Sequence, residues 1–407
     1  MRARSRVLLL AAVVGPGVLA GLSDDDAAGI TTYSILGADY GYQLLWVLLL
    51  STGALVLFHE LGLRVGVVTG QGLAGLVRER FGVRIGLAAL AALVIANLGT
   101  TAAEFAGVAA SLELAGVSRY ASVPLAAFGV SYLVLRGGFR GIEHVLLALS
   151  AILATYILAG IIAHPDWQAA GRGLVVPTLP LDRDALVIAT ATIGTTLAPW
   201  GLAFIQSYAV DKRLLPRQLP YARAEVVIGS VLTGVIGLFI VVACAATLHE
   251  QGRSIDDAAD AAAALEPLAG GLASLLFGAG LLGASLLAAS ILPLATAYSV
   301  AEALGSEAAL DDPVPEARLF YGTYAAVVAV GAAIVLLPGA PLVPILVLSQ
   351  VLNAILLLPL MWFMVRIVRD RDVMGDNASG RLHSVLCFAA TAMVALSVAA
   401  LAFLTFV

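Results

Sequence analysis

The stretch Gly15-Pro16-Gly17-Val18-Leu19-Ala20-Gly21-Leu22-Ser23-Asp24-Asp25-Asp26-Ala27-Ala28-Gly29 decides how this chain folds. Apolar residues run from Val7 to Leu22. As a helix they would rise only about 24 Å, short of a hydrocarbon core of about 30 Å. Three aspartates interrupt the run, and apolar character then resumes through Ile35. A carboxylate at mid-bilayer costs about 2.5–3.5 kcal/mol on insertion scales, so three together need water, a cation or a partner helix. Short half-helices flanking a polar break are one way a membrane protein builds an ion site at mid-bilayer. Residues 7–36 are therefore expected to form a single broken segment.

Composition supports a membrane setting. Of 407 residues, 61% are hydrophobic and 12% charged, with a mean hydropathy of +1.00. That excludes a soluble domain and gives no basis for a nucleic-acid partner. Arg2, Arg4 and Arg6 ahead of an apolar run also fit a signal peptide cleaved near Ser23, but the rest of the chain is itself polytopic. Cys244 and Cys387 lie in apolar segments without metal-ligand spacing and read as packing residues.

Eleven hydrophobic segments are expected, at about 7–36 (broken), 41–61, 84–116, 120–136, 141–163, 184–210 (broken), 222–248, 267–304, 317–337, 341–367 and 383–406. With the N-terminus cytoplasmic, 18 of the 22 basic residues fall on the cytoplasmic side. Only Arg119, Arg172, Arg183 and Arg253 fall outside. This asymmetry predicts a cytoplasmic N-terminus and an extracytoplasmic C-terminus.

The sixth segment carries a second break. In Ala189-Thr190-Ala191-Thr192-Ile193-Gly194-Thr195-Thr196-Leu197-Ala198-Pro199-Trp200-Gly201, Pro199 cannot donate to the Thr195 carbonyl. Backbone freed in this way is tolerated in a bilayer where it lines a cavity. Breaks in the first and sixth segments occupy corresponding places in two sets of five, the mark of inverted repeats with a site between them.

These landmarks resemble a known family. Gly15-Pro16, Asp26 and Gly41-Tyr42-Gln43-Leu44-Leu45-Trp46 look like the first two helices of the NRAMP divalent metal-ion transporters. Thr69-Gly70, Ala103-Glu104-Phe105 with Gly107, Arg140 with Glu143, Ser349-Gln350-Val351 and Met374-Gly375 extend the match along the whole chain. The resemblance implies an all-α, LeuT-like fold within one transmembrane domain. Repeat one would span about 7–163, repeat two about 184–367, and an extra helix about 383–406.

The departures from the family carry chemical information. The family's Asp-Pro-Gly-Asn is Asp26-Ala27-Ala28-Gly29 here, so the asparagine ligand is missing at Gly29. The family's Ala-x-x-Met-Pro-His becomes Thr195-Thr196-Leu197-Ala198-Pro199-Trp200. The methionine is thus Ala198 and the histidine Trp200. A second family histidine falls near Ile205 or Gln206, and an acidic residue before Glu104 is Thr101. Thioethers favour softer metals, whereas Mg²⁺ takes oxygen ligands and keeps much of its water. The missing histidines and carboxylate are groups that would otherwise carry protons. The pattern is similar to the magnesium-transporting NRAMP-related branch, and implies import of Mg²⁺ and Mn²⁺ without proton coupling.

The resemblance makes Asp26 the principal metal ligand, with Ser23 and Thr195 offering backbone carbonyls and Ala198 and Gly29 lining the site. Gln350 is either a ligand in an occluded state or an interhelical hydrogen-bonding group. Asp24 and Asp25 are candidates for the vestibule, and Trp200 for packing. Glu104 and Thr101 share one helical face, where Glu104 is a gate carboxylate or a structural one. The five histidines are expected at segment ends, and Asp256, Asp257 and Asp260 in a solvated loop. No cofactor is expected beyond the transported ion; the partners are that ion and the lipid of a prokaryotic-type cytoplasmic membrane. Two rivals stand beside this reading: a proton-coupled Mn²⁺/Fe²⁺ importer, and an organic-solute transporter on the same fold. No nucleophile–base pairing points to an enzyme.

Overall fold

The structure is a computed structural model, and it describes residues 25–135, 155–180, 182–306 and 315–406. Among the described residues the secondary structure is helical throughout. In chain order the main elements are α1 (Ala27–Tyr40), α2 (Leu45–Thr69), α3 (Leu73–Phe81), α4 (Val83–Glu113), α5 (Arg119–Leu135), α6 (Thr155–Ile162), α7 (Trp167–Val175), α8 (Arg183–Thr196) and α9 (Pro199–Asp211). They continue with α10 (Leu219–Cys244), α11 (Ala273–Leu304), α12 (Arg318–Val335), α13 (Leu342–Arg369) and α14 (Arg381–Phe406). Eight helical stretches among the described residues are long and apolar enough to cross a membrane, and α5 is a shorter apolar helix.

The second break falls where the sequence puts it. α8 ends at Thr196, Leu197 and Ala198 leave helical geometry, and Pro199 opens α9 as its first residue. At that position the missing proline N–H is one that no helical carbonyl would have received, so the proline starts a half-helix and does not kink a continuous one. Of the apolar window in Arg183–Asp211, 94% is buried, against 11% in Arg381–Thr405. The broken segment is therefore central, and α14 is a peripheral helix whose apolar flank is left for lipid.

Several boundaries are corrected. The second segment runs from Leu45 to Thr69 and not from 41 to 61, because Arg64 does not end it. Glu60, one turn earlier, pairs with Arg64 at 3.2 Å, and the guanidinium also donates to the Asn377 carbonyl and to Ser379 Oγ. With its charge matched inside the protein, Arg64 stays in the helix, which continues until Gly70 takes a left-handed C-cap at φ 66°. His59 is consequently buried in mid-helix, beside Ser230 Oγ at 3.4 Å, and is not at a segment end. The stretch between the fifth and sixth segments contains a helix, α7, which the hydrophobic pattern missed; Asp166 caps it by accepting from the N–H groups of Gln168 and Ala169. The first half of segment one, Arg140 and Glu143 lie outside the described residues.

The remaining polar expectations fare better. Cys244 and Cys387 are free and buried. Asp257 and Asp260 form a reciprocal capping box on the short helix Ala258–Ala263, and Arg253 pairs with Asp260 at 3.5 Å. The acidic loop thus has a local structural explanation.

Candidate functional site

Asp26 is the N-cap of α1. Its backbone is extended (φ −77°, ψ 177°), and its side chain accepts from the Gly29 N–H at 2.7 Å. This satisfies one orphan donor at the helix start and aims a carboxylate at the positive end of the helix dipole. Gly29 therefore contributes its N–H to Asp26, where a side-chain ligand would have stood in the family pattern. Asp25 and Asp26 are both buried, and Asp25 takes part in further interactions. Ser23 and Asp24 lie outside the described residues.

Glu104 approaches the same helix start from α4. Its Oε2 accepts from the Ala27 N–H at 3.3 Å, which brings its carboxyl to the same helix start as that of Asp26. The approach depends on Gly107, one turn further along α4, where a Cβ would collide with Ala27 Cβ and Ser285 Oγ. Thr101 is fully buried, and its methyl packs against Gly331 of α12. Residues 101 and 104 thus meet different neighbours, α12 for the first and α1 for the second.

α8 joins this assembly through one hydrogen bond that sequence reasoning did not single out. Tyr33 OH on α1 and Thr196 Oγ1 at the end of α8 lie 2.9 Å apart, and Thr196 also donates to the Thr192 carbonyl. α1 and α8 are thus bonded about two turns beyond Asp26. Thr195 is buried and its hydroxyl has no protein partner. Ala198 and Trp200 pack into an apolar cluster with Leu287, Ala288, Ile291 and Leu292 of α11. The Trp200 ring also meets that of Phe204 with centroids 6.2 Å apart, which agrees with a packing role.

Gln350 lies across from α8, at the level of the break. Its backbone carbonyl occupies the space where a Cβ of Gly194 would sit, so α8 and α13 touch backbone to backbone. Its side chain is engaged: Nε2 donates to Ser349 Oγ at 3.0 Å, and Oε1 accepts from Asn353 Nδ2 at 2.8 Å. Asn353 also donates to Thr100 Oγ1 on α4 at 2.9 Å, and Asn97 one turn earlier donates to Thr296 of α11. Nothing in the linear spacing pointed to Thr100 or Asn97, because the side chains they meet, Asn353 and Thr296, sit on helices more than 190 residues away. Among the described residues no three His, Cys, Asp or Glu side chains converge on one point. A cation held here would therefore take carboxylate, hydroxyl, amide and carbonyl oxygens and keep part of its water.

Residues 17–404 match the family described as Nramp, natural resistance-associated macrophage protein-like. The chain belongs to the Nramp family. A divalent metal cation transporter MntH of Burkholderia ambifaria is 34% identical over 294 residues, covering 69% of this chain and 65% of that protein. The MntH of Granulibacter bethesdensis is 29% identical over 393 residues, covering 93% and 85%. Among solved structures, the Eremococcus coleocola manganese transporter in complex with an aromatic bis-isothiourea substituted compound superposes with a TM-score of 0.76 at 21% identity. That superposition covers 95% of this chain and 85% of the other. A nucleobase-cation-symport-1 family transporter, MHP1, superposes with a TM-score of 0.57 at 16% identity, over 96% and 92%. At these identities the structural likeness speaks for the fold alone. In this chain α8 and α9 are the halves of the second broken segment, and Asp26 and Glu104 meet at the start of α1.

Proposed function

We infer that this Nramp protein carries divalent metal cations across a membrane by alternating access, with Mg²⁺ and Mn²⁺ as cargo and no obligatory proton. The observation that carries this reading is the buried carboxylate of Asp26 at the mouth of α1, bonded through Tyr33 to the half-helix that ends at the second break. The printed descriptions of the MntH relatives and of the manganese transporter support a divalent metal as cargo. The finer choice of ion rests on the donor set. Ala198 and Gly29 supply neither thioether nor amide, so hydroxyls, carbonyls and water remain around Asp26. Such a set favours a hard, partly hydrated cation.

The same reading takes the chain as one domain of eleven spans in the cytoplasmic membrane, with repeats at about 7–163 and 184–367 related by inversion. The excess of basic residues puts the N-terminus in the cytoplasm and Val407 outside. Reporter fusions at the two ends should therefore report opposite compartments; a shared compartment would refute the odd count of spans.

A second reading is favoured by one observation. Glu104 and Asp26 both bond to the first N–H groups of α1, and two neighbouring carboxyls can pass a proton between them. On that reading the chain is a proton-coupled Mn²⁺/Fe²⁺ importer. Uptake of Mn²⁺ and Mg²⁺ into proteoliposomes enclosing a pH-sensitive dye separates the two. The expected result is entry of both ions with a flat luminal pH. Acidification that scales with Mn²⁺ entry would establish the second reading, and exclusion of Mg²⁺ would remove it from the cargo.

A further inference from the structure

A second group of buried oxygens lies away from Asp26, toward the end of α9 that is followed by Lys212 and Arg213. Three elements meet there: α9 through Gln206 and Ser207, the last turn of α11 through Glu302, and the Gln71-Gly72 link between α2 and α3. Ser207 Oγ donates to Glu302 Oε1 at 2.8 Å, and Gln206 Nε2 donates to the Gln71 carbonyl at 2.9 Å. The second oxygen of each side chain, Glu302 Oε2 and Gln206 Oε1, is buried without a hydrogen-bond partner. Glu302 Oε2 presses on Gly72, where any Cβ would overlap the carboxylate. The bond to the Gln71 carbonyl fixes the amide of Gln206 with its nitrogen toward that carbonyl, so its oxygen is left for something else.

A buried carboxylate oxygen without a partner is costly, and so is the bare oxygen of the buried Gln206 amide. The Arg78 guanidinium donates to the Ala303 carbonyl, next in sequence to Glu302. Among the described residues Glu302 has no ion pair, and its hydrogen bond is the one from Ser207. A hard cation, which accepts lone pairs from several oxygens, would satisfy Glu302 Oε2 and Gln206 Oε1 together.

We propose that Glu302, Gln206, Ser207 and the Gln71 carbonyl form a second divalent-cation station, entered after the ion leaves Asp26. The proposal rests on the transport reading above. Ala198 and Gln206 are eight residues apart on α9, so the station lies about 12 Å along the helix from the break. With a single carboxylate and otherwise neutral oxygens it binds weakly and keeps most of the ion's water, as a point of passage requires. It also has a structural corollary: an ion there would link α9, α11 and the α2–α3 connection through one charge.

The test is the number of Mn²⁺ ions bound by the purified full chain, read from the loss of the free-Mn²⁺ electron paramagnetic resonance signal. Wild type should bind one ion tightly and a second at least tenfold more weakly. Glu302→Gln, which keeps size and one acceptor for Ser207, should weaken the second ion by more than tenfold and leave the first unchanged. Glu302→Asp keeps the charge and should retain two. Asp26→Asn should remove the tight ion and keep the weak one, so failure of the Asp26 site is read separately. The station is overturned if Glu302→Gln still binds two ions with wild-type affinities, or if wild type binds only one.

Discussion

Replacing Asp26 by alanine or by asparagine should abolish divalent-ion uptake, with initial rates in proteoliposomes falling by roughly a hundredfold or more for every ion tested. Removing one member of a buried charge pair typically costs about 2–5 kcal/mol, and a hundredfold corresponds to about 2.7 kcal/mol. The two variants separate binding from folding. Asp26 caps α1 by accepting from Gly29, and an alanine there forfeits about 0.5–2 kcal/mol of helix stability. Asparagine keeps an acceptor for the Gly29 N–H and removes only the charge. Asp26→Asn should therefore melt close to wild type while transporting no better than Asp26→Ala. Near-normal uptake by Asp26→Asn would mean that the carboxylate is a cap and not a ligand.

The second large effect is expected at Gly194. A Cβ there would overlap the Gln350 carbonyl and lie 2.8 Å from the Ala354 nitrogen, and both are backbone atoms that no rotamer change can move. Gly194→Ala must push α8 and α13 apart by about an ångström to restore ordinary contact distances. Overpacking of a core costs typically about 1–3 kcal/mol, and the cost is higher where backbone has to yield. The variant should lower the melting temperature and uptake together, by contrast with Gly53→Ala on α2. A Cβ at Gly53 meets nothing within 4 Å, and alanine is the better helix former by about 1 kcal/mol. If Gly194→Ala melts and transports like Gly53→Ala, the backbone contact between α8 and α13 is not a working part of the protein.

Much of this arrangement was legible in the residues. Pro199 among threonines and glycines marks the second break because proline chemistry is local: it removes one donor and fixes one angle wherever it stands. Asp26 before Ala27-Ala28-Gly29 reads as a helix start for the same reason. The extent of α2 was not legible, because a hydropathy window counts Arg64 as a cost while the structure matches it with Glu60, Asn377 and Ser379. Two of those three partners lie more than 300 residues away. The i,i+3 spacing of Gln350 and Asn353 on α13 was readable. The link from Asn353 to Thr100 needed the packing of α13 on α4, and that of Thr101 to Gly331 the packing of α4 on α12. Neither of these is written in spacing along one helix. Glu302 passed unnoticed because a single glutamate near a helix end is ordinary; only its buried, unmatched oxygen sets it apart.

The outermost helix, α14, is tied to the interior at two heights. Near its start His383 lies 3.8 Å from Glu60, the carboxylate that also pairs with Arg64 and Arg223. Further along, Ser397 Oγ lies 2.7 Å from Thr190 Oγ1 on α8, about two turns before Leu197. Most of what α14 shows to its surroundings is apolar side chain, the kind of surface that a bilayer's acyl chains would cover. The thickness and lateral pressure of the bilayer thus have a short mechanical route to the half-helix that ends at the break: from lipid to α14, across one pair of hydroxyls, to α8. Membrane composition becomes an input to the site, alongside ion concentration.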